Sequence, residues 1–140
     1  MFYPKEAIDM TSAWVEGDTR AKQWLQEHNF EELVQLKDAA SRHTKAFEYL
    51  LVHKFLILAG FVNAVWGDKK AFKILMDQKA YHWAAMANYI NGDDNAVLFL
   101  KKNKLDHYLK LADKIKTKIQ REGDEGTNFF SSGPFKVDKG

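Results

Sequence analysis

The sequence predicts an all-α fold, and three features of the 140-residue chain carry this prediction. Only two prolines are present, both near the ends, so the strongest helix breaker is missing from residues 5–133. Apolar residues make up 46% and charged residues 29%, which is typical of a globular domain with one core. Finally, an alanine–leucine motif recurs every 25 residues along most of the chain.

The repeat is visible in four segments, three of which contain Gly-Asp near their start. They are EGDTRAKQWL (16–25), SRHTKAFEYL (41–50), WGDKKAFKIL (66–75) and NGDDNAVLFL (91–100). The alanine and leucine of each segment are four residues apart, so they lie on one face of a helix. We expect each segment to form the second helix of a helix pair. Its apolar stripe would consist of Ala21, Ala46, Ala71 and Ala96, Leu25, Leu50, Leu75 and Leu100, and Trp24, Tyr49, Ile74 and Phe99.

The Gly-Asp dipeptide explains how the two helices of a pair are joined. Glycine adopts the left-handed conformation that ends a helix, and aspartate caps the next helix or sits in its first turn. We therefore expect a tight turn at Gly17, Gly67 and Gly92, with the same turn built from Arg42 and His43 in the remaining copy.

The first helix of each pair is predicted from apolar positions that also recur with the 25-residue period. Counted from Phe30, Phe55, Ala80 and Leu105, residues at offsets 3, 4 and 10 are apolar in every copy. Extending this pattern predicts a helix from about residue 4 to 16 and a last helix from about 105 to 121. The predicted architecture is an α-solenoid of four antiparallel helix pairs plus a closing helix, whose polar first helix (Lys5, Asp9, Ser12) caps one end.

One unit resembles an ankyrin repeat. The segment KAYHWAAMANYING (79–92) places His82 and Ala84-Ala85 in the first helix, and Gly92, Val97 and Leu100 follow as in the second. Lys79-Ala80 stands where the ankyrin consensus has Thr-Pro, and the 25-residue period leaves no room for hairpin fingers. The resemblance is to ankyrin-like helical-repeat proteins as a type, and it implies protein binding.

The chain divides into a helical-repeat domain over residues 1–121 and a tail over 122–140. The tail contains four of the eight glycines, with Phe129, Phe130 and Phe135 as apolar anchors that we expect to dock on the body or on a neighbouring molecule. The N-terminal residues do not form a secretory signal, and the apolar run 55–66 is too short to span a membrane. The expectation is a cytoplasmic protein.

No enzyme motif is found in the sequence. It lacks GxGxxG, GxxxxGK[ST], GxSxG and HExxH, and it contains no cysteine. His28 and His53 share one repeat position and His82 and His107 share another, but no histidine has a glutamate three residues before it, as a bundle metal site would need. We expect capping and surface roles for the histidines, no metal and no cofactor.

Charge is distributed unevenly along the chain. Residues 1–38 hold four basic and eight acidic residues, whereas 101–121 hold eight basic and two acidic ones. The basic set comprises Lys101, Lys102, Lys104, Lys110, Lys114, Lys116, Lys118 and Arg121. This end of the chain is either a solvated cap or a surface for a phosphate backbone or an acidic protein.

A binding surface is predicted on the first-helix face opposite the core. In the central copies this face carries small residues between larger apolar residues and amides, an arrangement that suits a groove with an apolar centre and a polar rim. The candidate residues are Leu56, Gly60, Asn63, Tyr81, Ala85 and Asn88, with Lys110 at the equivalent of Ala85 in the last copy. Equally, the small residues could permit close packing within the chain.

These observations favour a non-catalytic module that binds a protein or peptide through the first-helix face. A nucleic-acid or phosphate binder that uses the basic C-terminal helix is the alternative, and a small-molecule enzyme without a recognisable motif is third. The charge of Lys114, Lys116 and Lys118 distinguishes the first two, because binding to a phosphate backbone weakens steeply with salt.

Overall fold

The computed structural model describes residues 2–125, and this part of the chain is helical, without β-strands. The expected all-α fold is confirmed. Within this range, none of the helices is both long and apolar enough to cross a bilayer. The nine helices are α1 (Lys5–Val15), α2 (Thr19–Glu27), α3 (Glu31–Ala40), α4 (Thr44–Val52), α5 (Leu56–Val65), α6 (Lys69–Asp77), α7 (Tyr81–Ile90), α8 (Asn95–Lys102) and α9 (Asp106–Glu125).

The turns between the helices repeat with the 25-residue period. Over the described residues, every positive φ falls at one of two repeat positions. The first position ends the odd-numbered helices and holds Gly17, Arg42, Gly67 and Gly92. The second ends the even-numbered helices and holds Asn29, Lys54, Lys79 and Lys104. The predicted left-handed glycines are therefore confirmed, and Arg42 adopts the same conformation with φ 71°.

Aspartate caps two of the helices as predicted. The Asp18 carboxylate accepts hydrogen bonds from the Arg20 and Ala21 backbone N–H groups at 2.9 and 3.4 Å. Asp68 does the same for Lys70 and Ala71 at 2.9 and 3.3 Å. These bonds satisfy N–H groups that have no partner inside the helix, and they fix where α2 and α6 begin.

The helices form two layers. The odd-numbered helices α1, α3, α5, α7 and α9 pack against one another in sequence, whereas each even-numbered helix contacts only the helices before and after it. The even-numbered helices attach to this inner layer through the repeated motif, because all four alanines and all four leucines are buried. The predicted burial of the alanines and leucines of the second helices is thus confirmed.

The array closes on itself, because α1 packs against α9. The predicted α-solenoid stacks each unit on its neighbours and does not include this contact between the first and last helices. Ser12, expected on a polar end cap, is fully buried for the same reason. A further repeat position on the inner helices is also fully buried, and the sequence pattern had left it unassigned. Its residues are Thr11, Leu36, Phe61, Met86 and Leu111.

The closure is reinforced by Tyr3, which lies just before α1. Its backbone N–H donates to the Tyr108 hydroxyl at 2.9 Å, and its own hydroxyl donates to the Glu32 carboxylate at 3.0 Å. The tyrosine ring meets the rings of Trp83 and Phe30 edge-on, with centroids 6.4 and 6.0 Å apart. One residue therefore joins α3, α7 and α9.

Charge also contributes to the closure. Lys114 on α9 forms an ion pair with Glu16 at the end of α1, with 2.9 Å between Nζ and Oε2. Further along α9, Lys118 and Glu122 pair with each other, and both hydrogen-bond the Ser41 hydroxyl. α9 ends at Glu125 and not near residue 121 as predicted, so Glu122 belongs to the last helix.

We predict that Tyr3→Phe destabilises the protein by about 1–3 kcal/mol at pH 7, since the buried Glu32 carboxylate loses a donor. Burial and the Glu32 charge raise the pKa of Tyr3 above its ordinary value of 10.0. Above pH 10 the unfolded tyrosine ionises while the folded one keeps its proton, so this contribution to stability is lost as the pH rises.

Urea unfolding of the wild type and of Tyr3→Phe at pH 7 and at pH 11 measures the loss of stability. The stability difference between them is expected to narrow at the higher pH. Tyr81→Phe is the matched control, because Tyr81 is 44% exposed, and its effect should stay within about 0.5 kcal/mol. Equal stability of Tyr3→Phe and wild type at pH 7 would contradict the proposed role of Tyr3.

Candidate functional site

Open cavities lie between successive helices of residues 2–125, and three of them contain predicted binding residues. One apolar candidate site is the α7 cavity, about 240 Å³ in volume, whose walls come from α6, α7 and α8. Tyr81, Ala84, Ala85 and Asn88 of α7 form its floor, because Ala84 and Ala85 are small and buried. Its other lining residues are Phe72, Met76, Asp93, Asn95, Ala96 and Phe99.

The α9 cavity occupies the equivalent place one repeat later and has a volume of about 380 Å³. Six of its seven lining residues are 25 positions after a residue of the α7 cavity, with Tyr89 as the exception, but the side chains are different. Charged groups stand at Lys101, Asp106 and Lys110, where the α7 cavity has Met76, Tyr81 and Ala85. Asp113 replaces the amide of Asn88 with a carboxylate. The fold therefore builds one cavity twice, and the side chains make only one of the two apolar.

The α5 cavity, of about 290 Å³, lies between the N-terminal end of α5 and the C-terminal half of α6. Leu56 and Ile74 line it, and they correspond to Tyr81 and Phe99 of the α7 cavity one repeat later. Lys54 stands at its edge.

The seven predicted binding residues do not form one continuous groove. Tyr81, Ala85 and Asn88 come together in the α7 cavity, as expected. Leu56 lines the α5 cavity and Lys110 lines the α9 cavity. Gly60 and Asn63 line none of these three cavities.

Gly60 has a packing role within the chain. A Cβ atom at this position would lie 3.5 Å from Cδ2 of Leu75, which is an ordinary van der Waals contact. The space above Gly60 is therefore occupied by α6, and the residue serves the contact between α5 and α6.

The outer helices expose apolar side chains that the sequence pattern assigned to the core. Ile74 is 51% exposed and Phe99 is 38% exposed, so their expected place in the buried stripe is wrong. The reason is that an outer helix packs only on its chain neighbours, which leaves its far side uncovered. Met76 is 40% exposed and was not predicted as a site residue. It follows buried Leu75 and precedes exposed Asp77, so it lies at the border between the buried and the exposed face of α6.

The α9 cavity has internal partners for part of its charge. The Tyr89 hydroxyl donates to the Asp113 carboxylate at 2.7 Å, and this hydrogen bond, with burial and the carboxylate's charge, raises the pKa of Tyr89 to about 12. Lys116 lies over the same ring, 4.6 Å from its centroid. These contacts fix the polar wall of the cavity.

The three lysines chosen to test nucleic-acid binding all have partners within the chain. Lys114 pairs with Glu16, Lys118 pairs with Glu122, and Lys116 lies over Tyr89. One of these contacts, between Lys114 and Glu16, joins the basic last helix to the acidic N-terminal part of the chain.

Two histidines act as helix caps. In His28 and His53 the Nδ1 atom lies 2.8 and 3.0 Å from a backbone carbonyl oxygen one turn earlier, and each ring stacks on the aromatic residue of that turn. His107 is half-buried, and burial lowers its pKa. No cluster of metal-ligating side chains is found in residues 2–125.

Comparison with family models, with curated proteins and with solved structures gives no match to the chain. The ankyrin-like resemblance of residues 79–103 therefore stays a prediction. The predicted tail anchors Phe129, Phe130 and Phe135 lie outside the described residues.

We predict that Gly60→Ala stabilises the protein by about 0.5–1 kcal/mol, because alanine reduces the entropy lost on folding and its methyl group fits against Leu75. Gly67→Ala is the matched substitution and should destabilise by about 1 kcal/mol, because Gly67 has φ +94°. Thermal unfolding measures both. Destabilisation by Gly60→Ala would show that α5 and α6 pack more closely than described.

Proposed function

We propose that the protein is a non-catalytic helical-repeat module that binds a peptide segment of another protein, with the α7 cavity as its binding site. The single observation that carries this proposal is the apolar lining of this cavity at positions that are charged one repeat later. Since the backbone builds the same cavity in both repeats, the apolar side chains are not a requirement of the fold.

The composition of the α7 cavity suits a peptide. Met76, Tyr81 and Phe99 give partly exposed apolar walls, and Ala85 leaves room between them. Asn88 and Asn95 place amide groups at the same cavity, where they can hydrogen-bond the backbone of a bound chain. An apolar centre with polar groups at its border is the usual composition of a protein-binding surface.

The repeat architecture supports the same function. Helical-repeat arrays present extended surfaces built from equivalent positions of successive units, and their specificity lies in the side chains at those positions. We propose that the 25-residue helix pairs form such an array, of the ankyrin-like type, closed by the contact between α1 and α9. The nucleic-acid alternative has less support, because Lys114, Lys116 and Lys118 serve contacts within the chain.

A random-peptide display library, selected on the immobilised full-length protein, tests this proposal. We expect selected peptides to bind the wild-type protein and to lose about tenfold or more in affinity for Met76→Asp, because a carboxylate replaces an apolar contact worth ~1.5 kcal/mol. Isothermal titration calorimetry measures the affinities.

The matched control is Leu98→Asp. Leu98 is 68% exposed on the outer helix α8 and lines none of the three cavities, so this variant should bind each peptide within about twofold of wild type. A selection that yields no binding peptide, or peptides that bind Met76→Asp as tightly as wild type, would overturn the proposed function.

A further inference from the structure

We propose that the partner segment is an acidic amphipathic helix that places one apolar side chain in the α5 cavity and a second in the α7 cavity. This inference rests on the proposed function and specifies the chemistry of the ligand. It comes from a row of lysines and from a pair of apolar residues, both of which repeat from one unit to the next.

The lysine row consists of Lys54, Lys79 and Lys104, which occupy the same turn in three successive repeats. Each is exposed, and each adopts a left-handed conformation with φ of 63°, 61° and 58°. This conformation favours glycine or asparagine, and the chain uses glycine at three of the four equivalent turns on the other side of the array. Lysine at these turns therefore needs a reason other than turn geometry.

Within residues 2–125 the lysines of this row form no ion pairs. Among residues 2–125 none of the three pairs with a carboxylate, in contrast to Lys73, Lys114 and Lys118. Like charges at one spacing along a surface suit a partner with carboxylates at a matching spacing.

The apolar pair lies next to this row. Leu56 follows Lys54 by two residues and Tyr81 follows Lys79 by two, and they are 59% and 44% exposed. Each forms a cavity wall together with an outer-helix residue, Ile74 for Leu56 and Phe99 for Tyr81. At the ends of the array the same position holds Glu31 and Asp106, so the apolar pair is confined to the two central repeats.

The spacing of the two cavities fits a helix. α5 and α7 pack against each other, and packed helices lie about 8–10 Å apart. Leu56 and Tyr81 are the first residues of these two helices, so their cavities are separated by a similar distance. Side chains at positions i and i+7 of an α-helix are about 10.5 Å apart along its axis. Such a helix satisfies its own backbone and needs only apolar anchors and a complementary charged border.

A peptide fits these features better than an anionic membrane surface. The apolar side chains line concave cavities, which accept single projecting side chains of a helix but not the flat surface of a bilayer. The peptide is therefore the occupant to which we commit.

The test uses two blocked synthetic peptides and the full-length protein. The glutamate peptide carries leucines at i, i+3 and i+7 of one helical face and glutamates on the other face, and the lysine peptide has lysine at each glutamate position. We expect the glutamate peptide to bind at least about tenfold more tightly, with an affinity that falls as salt is added. Fluorescence anisotropy measures both peptides.

The variant Lys54→Asn/Lys79→Asn/Lys104→Asn removes the lysine row without straining the turns, since asparagine tolerates the left-handed conformation. We expect it to melt no lower than wild type and to lose about tenfold in affinity for the glutamate peptide. The control Lys45→Asn/Lys69→Asn/Lys70→Asn removes the same charge from the first turns of α4 and α6, and it should bind within about twofold of wild type.

Three results would overturn this inference: binding of neither peptide, equal binding of both, or equal losses in the two triple variants. Vesicles of phosphatidylcholine with phosphatidylserine are the last arm, and binding to them without binding to the glutamate peptide would also overturn it. If library peptides bind through the α7 cavity but show neither acidic residues nor two anchors, this inference fails while the proposed function stands.

Discussion

The contact between α1 and α9 is the constraint on which the other features of the structure depend. It converts a row of helix pairs into a closed array, so the inner helices are surrounded by neighbours and a repeat position that an open stack would expose becomes core. Tyr3 holds this closure with hydrogen bonds to Tyr108 and Glu32.

The repeat was predictable from the sequence because its signals are local. Ala71 and Leu75 lie on one helix face, and Asp68 caps the helix that carries them, so a few neighbouring residues fix each element. The closure was not predictable in this way. It depends on small rotations between successive helix pairs that add up around the array, and no single residue encodes them. The opposite charges of residues 1–38 and 101–121 are consistent with it, but the basic residues alone predicted only a solvated cap or a surface for phosphate or an acidic protein.

Part of the candidate site was also predictable, because the signals of that part are local in the sequence. Tyr81, Ala85 and Asn88 were found because they recur on one face of a helix, and α7 does bring them together. Gly60 was placed in the same surface, but α6 covers it through Leu75, a contact between helices that periodicity alone does not show. Met76 was missed because cavities between three helices take residues from the border of a helix face. The α7 and α9 cavities are built at equivalent positions but have different side chains, so the fold does not require the apolar residues of the α7 cavity.

Zero-length carbodiimide coupling of the full-length protein, followed by peptide mapping of the monomeric fraction, tests the closure most directly. The carboxylate of Glu16 and the ammonium group of Lys114 are 2.9 Å apart, so we predict an isopeptide bond between α1 and α9. Lys73 and Asp77, also 2.9 Å apart within α6, provide the internal control. Coupling of Lys73 to Asp77 without coupling of Lys114 to Glu16 would contradict a closed array.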